Sequence, residues 1–335
     1  MFICRGNSKA NITMNMTPPP IAPVPSGVDR PIWSVMIPTF NCAKYLCKTL
    51  NSVLAQDLGP GQMQIEVIDD LSTQDDPEPL VMELGKGRVS FYRKPQNGGA
   101  IANFNTCIER SRGHLVHILH GDDWVENGFY EQFQKAFEQH SDIGICIARV
   151  FVVEENGELD SLSPRIPLLE SLTGQAEFMY YNNPVRTPGV VVRRRQYELQ
   201  GGFLLPLVHT ADWEMWIRII RRSRGAFLNK PLASYRFFPG NDTGRLIKSA
   251  ENLHDYLRLA NIIKNYDDKF DFKKFQNNVM RMAMTQSRLF EEIGNVKAYE
   301  ANKTFYKELL AKQPIKRRVI EAARNALLKL VRITN

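Results

Sequence analysis

The 335-residue sequence has no apolar run of the roughly 20 residues that a membrane-spanning helix needs. It also has no C-x-x-C pair. Its five cysteines (Cys4, Cys42, Cys47, Cys107 and Cys146) are scattered and odd in number. That spacing argues against a disulfide framework or a cysteine zinc site, so reduced thiols in a cytoplasmic protein are expected. No apolar core precedes the Pro-rich stretch TPPPIAPVP, so a secretory leader is not expected there. No internal repeat is visible. A nucleic-acid-binding surface is missing too, although the formal net charge is +7. From Lys312 onward seven basic residues face a single acid, Glu321, so this tail carries +6 and the rest of the chain about +1. Nucleic-acid-binding folds spread basic residues over the body.

What remains is ordinary globular material. With 43% hydrophobic and 24% charged residues, the chain can build one large domain or one domain with an appendage. Residues 1–30, rich in Asn, Pro, Ser and Gly, read as a flexible arm. From Trp33 strands and helices alternate. WSVMI ends at Pro38, and Asn41 stands as N-cap before a stripe of Tyr45, Leu46, Thr49, Leu50, Val53 and Leu54. IEVI runs into Asp69-Asp70, and RVSFY into the turn signal Asn97-Gly98. Helices marked by Ile101, Phe104 and Ile108, and by Phe129, Phe133 and Phe137, flank the strand LVHIL. This alternation predicts an α/β fold, Rossmann-like, around a central and mostly parallel sheet. Helical stripes then run from Leu253 to about Lys312.

The stretch HLVHILHGDDW (residues 114–124) poses the main functional question. On a strand, side chains alternate faces, so His114, His117 and His120 cannot converge on one metal. His114 and His117 are expected as polar residues of a half-exposed strand. Asp122 and Asp123 lie just past the strand's C-terminal end, where open α/β sheets bind ligands. The first and second strands end at Pro38-Thr39-Phe40-Asn41 and at Asp69-Asp70, on the same edge if the strands are parallel. An edge with four carboxylates beside helix N-termini suits a nucleoside diphosphate. Helix N–H groups meet the phosphates, and a divalent cation bridges phosphate to carboxylate. Elsewhere the expectations are structural. Trp213 and Trp216 should be packing residues, Arg193–Arg195 a solvated strand end, Asp75 and Asp76 a helix-capping turn, and Cys107 and Cys146 core.

Six segments in order resemble the family 2 glycosyltransferases. They are VMIPTFNCAKYL, VIDDLSTQDD, PQNGGAIANFNTCIERSRGHLVHILHGDDW, TPGVVVRRRQYELQGGF, HTADWEMWIRI and YRFFPGNDTG, across about residues 33–245. The resemblance implies a GT-A nucleotide-sugar-binding domain (31–245), and the sequence pattern adds a helical C-terminal region (246–312) and a tail (313–335). It implies donor-binding roles for Pro38, Thr39, Asn41, Asp70, Asn97, Asn105, His120, Asp122, Asp123 and Arg236. Asp122 and Asp123 would hold Mn²⁺ or Mg²⁺, and Asp212 would be the catalytic base. The implied partners are a UDP-, GDP- or dTDP-type donor and a glycan or lipid-linked acceptor, as in surface polysaccharide or lipopolysaccharide assembly. The implied reaction is inverting transfer of one sugar per event. No tryptophan follows an arginine, so the Q-x-x-R-W motif of the processive synthases is not present.

Three positions depart from the family pattern. His120 replaces the first acid of D-x-D-D, Ala211 replaces the acid before Asp212, and Phe238 stands where a histidine is common. Two other readings compete. A sugar-1-phosphate nucleotidyltransferase would want a Gly-rich basic loop where PTFNCAKYL stands, and an inactive scaffold would not need all of Asp70, Asp122, Asp123 and Asp212. The helical C-terminal part offers a surface for a homo-oligomer. In the tail, Val319, Ile320, Ala323, Leu327, Leu330 and Val331 form an apolar stripe bordered by basic residues, which suits either the anionic inner face of a membrane or a terminal helix packed on the domain with its basic face solvated. Deleting residues 312–335 should release the protein from anionic liposomes in a co-sedimentation assay. Unchanged co-sedimentation would sink this reading of the tail.

Overall fold

The computed structural model describes residues 16–167, 172–315 and 318. The tail stripe lies outside them. Three parallel units come first: β1 (Trp33–Thr39) with α1 (Ala43–Leu54), β2 (Met63–Asp69) with α2 (Glu78–Gly85), and β3 (Ser90–Arg93) with α3 (Ala100–Arg110). Next come β4 (Leu115–Ile118), β5 (Trp124–Val125), α4 (Phe129–Gln139), β6 (Ile143–Val153), β7 (Leu159–Leu162) and α5 (Leu172–Tyr180). A 3-10 turn at Thr187–Gly189 leads into β8 (Val190–Arg193), α6 (Arg194–Gln200), α7 (Ala211–Ile220), β9 (Arg224–Arg236) and α8 (Asp242–Lys248). The helices α9 (Glu251–Tyr266), α10 (Phe272–Glu292) and α11 (Val296–Ala311) follow.

The strands form one mixed sheet in the order β3-β2-β1-β4-β8-β6-β9-β5, with β7 on β6. β1, β2, β3 and β4 run parallel, whereas β8 is antiparallel to both β4 and β6. The chain winds outward from β1 to β3, then returns to place β4 on the other side of β1. That reversal opens a crevice at the strands' C-terminal ends. Pairing of β1 with β4 stops at Met36–Ile118, two residues before Pro38, which has no N–H to give.

Period-two alternation sends each strand's side chains to two cores. Trp33, Val35 and Ile37 pack under α1, α2 and α4, while Met36 faces α3, α7 and the C-terminal helices. Trp213 and Trp216 are buried in that second core, and Cys107 and Cys146 are fully buried, as expected.

Three sequence expectations are corrected here. The stretch before β1 is fastened to the body, because Ile21 is buried in the second core and Pro19 O and Ala22 O accept from Gly202 N and Arg194 Nη2. Arg193 and Arg194 are not a solvated strand end. Arg193 donates to the carbonyls of Ile143 and Phe137, and Arg194 to Ser111 and Ala22, each closing off a chain segment. His117 is a core residue rather than half-exposed. It stacks on Phe129 at 4.5 Å, and its Nε2 lies 3.0 Å from Pro188 O. A carbonyl can only accept, so Nε2 carries the proton and Nδ1 faces the Tyr130 hydroxyl at 3.4 Å.

Burial pushes the His117 pKa down to about 3. Between that value and the ordinary 6.5 the unfolded chain binds a proton that the folded chain does not. His117 therefore costs stability as pH falls through that window, by up to about 1.4 kcal/mol per pH unit. The variant His117→Gln should show a shallower loss of stability between pH 6.5 and 4 in urea titrations. Parallel pH profiles for the two proteins would contradict a neutral, buried His117.

Candidate functional site

The tips of β1, β2 and β4 are tied together by backbone hydrogen bonds around β1. Asp70 N donates to Thr39 O at 3.0 Å, Leu119 N to Met36 O at 3.0 Å, and Gly121 N to Pro38 O at 3.1 Å. Gly121 is where the two tips touch. A Cβ there would lie 2.9 Å from Cys42 Sγ and 3.2 Å from Thr39 Oγ1. Thr49, one turn along the buried stripe of α1, holds the same loop from below. Its hydroxyl reaches Gly121 O at 3.0 Å and Asp123 O at 2.7 Å. The sequence marks Thr49 only as a stripe residue, since its partners are backbone carbonyls 72 and 74 residues away.

Asp122 and Asp123 project from this loop beside His120. One ligand atom from each of the three lies within 4.8 Å of the others, an arrangement able to hold a metal ion. Asp123 is buried. Its Oδ1 accepts from Arg236 N at 2.8 Å, and its Oδ2 lies 3.4 Å from His120 Nδ1, close enough for charge attraction but not aligned as a hydrogen bond. Asp123 Oδ2 and His120 Nε2 are buried polar atoms without a hydrogen-bond partner, and a cation at this place would engage both kinds of donor atom. Burial and then the charge of Asp123 push the Asp122 pKa up to about 7. Burial pushes His120 down, but Asp123, Asp122 and Asp212 outweigh it and leave His120 above its ordinary value. Phe104 stacks flat on the imidazole, with centroids 5.0 Å apart and planes at 8°.

Asp212 reaches the same neighbourhood from the other half of the sheet. It is the second residue of α7, and its Oδ1 caps Trp213 N at 2.6 Å. Its Oδ2 accepts from the Thr187 hydroxyl at 3.3 Å. Burial raises its pKa, while its own helix's N–H and the charges of His209, Arg186 and His120 draw it back. A carboxylate near a helix N-terminus with a raised pKa is suited to accept a proton.

The other expected residues are placed differently. Asn41 does not cap α1. It adopts φ 51°, and its Oδ1 accepts from Thr73 N at 2.8 Å and Gln74 N at 3.0 Å, while Asp75 Oδ2 caps α1 through Ala43 N at 2.8 Å. Asp70 is 2% exposed and accepts from Gly98 N, Gly99 N and Lys94 Nζ. Asn97, exposed, donates to Asp70 O at 2.8 Å. These residues shape the loop before α3. Asn105 does not face the cluster, since its amide exchanges two hydrogen bonds with the backbone of Phe203. Phe203 packs edge-on against Phe104, so two aromatic residues stand between Asn105 and His120 along this line of contacts. Arg236 is 4% exposed. Its guanidinium donates to Asp122 O at 3.0 Å and to Glu155 O, between the rings of Tyr45 and Trp124.

Comparison with known proteins identifies the family and the fold. Residues 34–199 match the model of glycosyl transferase family 2. The chain is 27% identical over 247 residues to the uncharacterized protein MT1568 of Mycobacterium tuberculosis, covering 69% of this chain and 75% of that one. It is 26% identical over 227 residues to the putative teichuronic acid biosynthesis glycosyltransferase TuaG of Bacillus subtilis, covering 66% and 85%. Among solved structures, residues 1–349 of Staphylococcus aureus TarS, in complex with UDP-GlcNAc, superpose with TM-score 0.56 at 20% identity, covering 77% of this chain and 72% of that one. The mannosyltransferase PcManGT of Pyrobaculum calidifontis, in complex with GDP-Man and Mn²⁺, gives 0.54 at 15% identity, covering 93% and 84%. The fold is of the GT-A type. The chain belongs to the family 2 glycosyltransferases and is an enzyme of that class.

The crowding at Gly121 is directly testable. Gly121→Ala should lower turnover at least tenfold and stability by about 1–3 kcal/mol. Adding Cys42→Ala removes the nearest clashing atom and should recover part of both losses, measured by urea melts and nucleotide release. Additive losses in the double variant would show that the close contact is not the cause.

Proposed function

We propose that the chain transfers one sugar from a nucleotide-activated donor to an acceptor hydroxyl, with inversion at the anomeric carbon. One observation carries the reading. Carboxylates from two distant segments, Asp122 and Asp123 after β4 and Asp212 at the head of α7, sit close enough that His120 feels all three charges. Asp212 is the proposed base. An acceptor hydroxyl is a poor nucleophile, and a carboxylate of raised pKa can take its proton as the oxygen attacks. Attack from the face opposite the departing diphosphate gives inversion in one displacement.

Asp122 and Asp123, with His120 beside them, would hold a divalent cation, Mn²⁺ or Mg²⁺. Such a cation offsets the negative charge that develops on the leaving nucleoside diphosphate. The loops fixed by Thr39, Asn41, Asp70 and Asn97 are the proposed bed for the nucleoside end, shaped by those side chains rather than lined by them. The donor complexes of the two structural neighbours support a nucleotide-sugar substrate, UDP-linked in one and GDP-linked in the other. The name of the TuaG relative supports a place in cell-surface glycan synthesis. Among the described residues no helix is long and apolar enough to cross a membrane. Contact with an anionic membrane would fall to residues 313–335.

The test is a thermal-shift titration with UDP-, GDP- and dTDP-sugars in Mn²⁺, Mg²⁺ or EDTA. One nucleotide class should raise the melting temperature in a metal-dependent way, and Asp122→Ala should abolish the shift. Asp212→Asn should keep the shift but lose about 10²–10⁴-fold in turnover. A protein that shifts with no donor would return weight to a scaffold role, and near-normal turnover of Asp212→Asn would remove Asp212 as the base.

A further inference from the structure

Helix α9 begins more than fifty residues beyond the segment that matches the family model, yet it reaches the head of α7. Asp255, on its second turn, is fully buried. Its Oδ2 accepts three hydrogen bonds, from His209 N at 2.8 Å, Thr210 N at 2.7 Å and the Thr210 hydroxyl at 2.9 Å. Its Oδ1 accepts from Arg258 Nη1 at 3.1 Å, and Arg258 also donates to Glu251 Oε1 at 2.7 Å. The neighbouring Tyr256 places its hydroxyl 3.3 Å from His209 Nε2 and its ring edge-on to Trp213.

Thr210 is the N-cap of α7, a position where a threonine hydroxyl ordinarily accepts from the helix's own first turn. Here the hydroxyl makes no cap bond and donates instead to Asp255. The cap has been handed to another helix. Asp212 stands two residues further on, between the residue that Asp255 grips and the Trp213 that Tyr256 packs against. Charge-assisted bonds of this kind are short and directional, and Arg258 compensates the buried carboxylate. Misplacing a reacting group by an ångström is worth on the order of 10²-fold in rate.

We propose that Asp255 is a positioning residue for Asp212, so that the C-terminal helices belong to the catalytic unit. The proposal rests on Asp212 being the base. Its chemistry is mechanical. Asp255 fixes the entry of the chain into α7 and thereby the direction in which the Asp212 carboxylate faces the acceptor oxygen. Donor contacts lie on the β1, β2 and β4 tips, which Asp255 does not touch, so turnover and donor binding should separate.

The experiment compares the full chain with Asp255→Asn, Asp255→Ala, Asp212→Asn and Leu309→Ala. Leu309 is buried in α11 and tests loss of stability in the same helices without touching α7. Nucleotide release is followed with UDP-N-acetylglucosamine and GDP-mannose, and melting temperatures are recorded. Asp255→Asn should lose at least tenfold in kcat with its donor KM within twofold of the parent, and Asp255→Ala should lose more. Leu309→Ala should melt earlier and keep its kcat. If Asp255→Asn keeps its kcat while Asp212→Asn loses it, the positioning role is wrong and the base stands. Should Leu309→Ala lose as much kcat as Asp255→Asn, the effect is one of general stability and the proposal fails. Undiminished turnover in Asp212→Asn overturns the base, and the positioning role with it.

Discussion

Two carboxylates held side by side in a mostly buried loop repel one another, and the arrangement around β4 is organised by that repulsion. Asp123 is the better compensated of the two. It takes the N–H of Arg236 and faces the imidazole of His120. Burial and the like charge of Asp123 push Asp122 up to about 7, outweighing the downward pull of His120, its own backbone N–H and Arg236. Relaxation by a small outward movement is blocked. Thr49 grips the loop through two carbonyls, Gly121 leaves no space against Cys42, and Arg236 binds the carbonyl of Asp122. The fold thus keeps a pair of carboxylates in a geometry that only added positive charge makes comfortable. Under the proposed chemistry such a rigid scaffold would offer a cation a preorganised place rather than one assembled on binding.

The sheet topology decides which residues can share that place. Winding from β1 out to β3 and back to β4 leaves one gap where neighbouring connections part in opposite directions, and the loops after β1, β2 and β4 all border it. The antiparallel β8 extends the sheet across the gap, and the turn before it carries Thr187 to Asp212. His117, from within β4, holds Pro188 of that same turn. One strand therefore positions the acidic loop at its tip and, through its buried face, the segment that meets Asp212.

Much of this was legible in the sequence. Period-two runs ending in Pro38, Asp69-Asp70 and Asp122-Asp123 marked the strands and their common edge, because alternation and turn residues are local signals. The buried stripe of α1 was readable for the same reason. What escaped was the side chains whose partners are backbone groups far along the chain. Arg193 and Arg194 looked solvated because nothing local shows Phe137, Ile143 or Ser111 beside them. Asn41 looked like the cap of its own helix, whereas that helix is capped by Asp75 from across the crevice. The stretch before β1 looked like a loose arm, since a lone Ile21 among prolines carries no periodicity to betray its burial.

Arg236 bears most on the chemistry. Family likeness would set it over the diphosphate, but its guanidinium is already committed to the carbonyls of Asp122 and Glu155 and enclosed by Tyr45 and Trp124. Freeing it would break both of these hydrogen bonds and take the guanidinium from between the two rings. An arginine so held braces the acidic loop and adds a fixed positive charge beside it. Under the proposed chemistry the charge on the leaving group must then be met chiefly by the cation that Asp122 and Asp123 would hold.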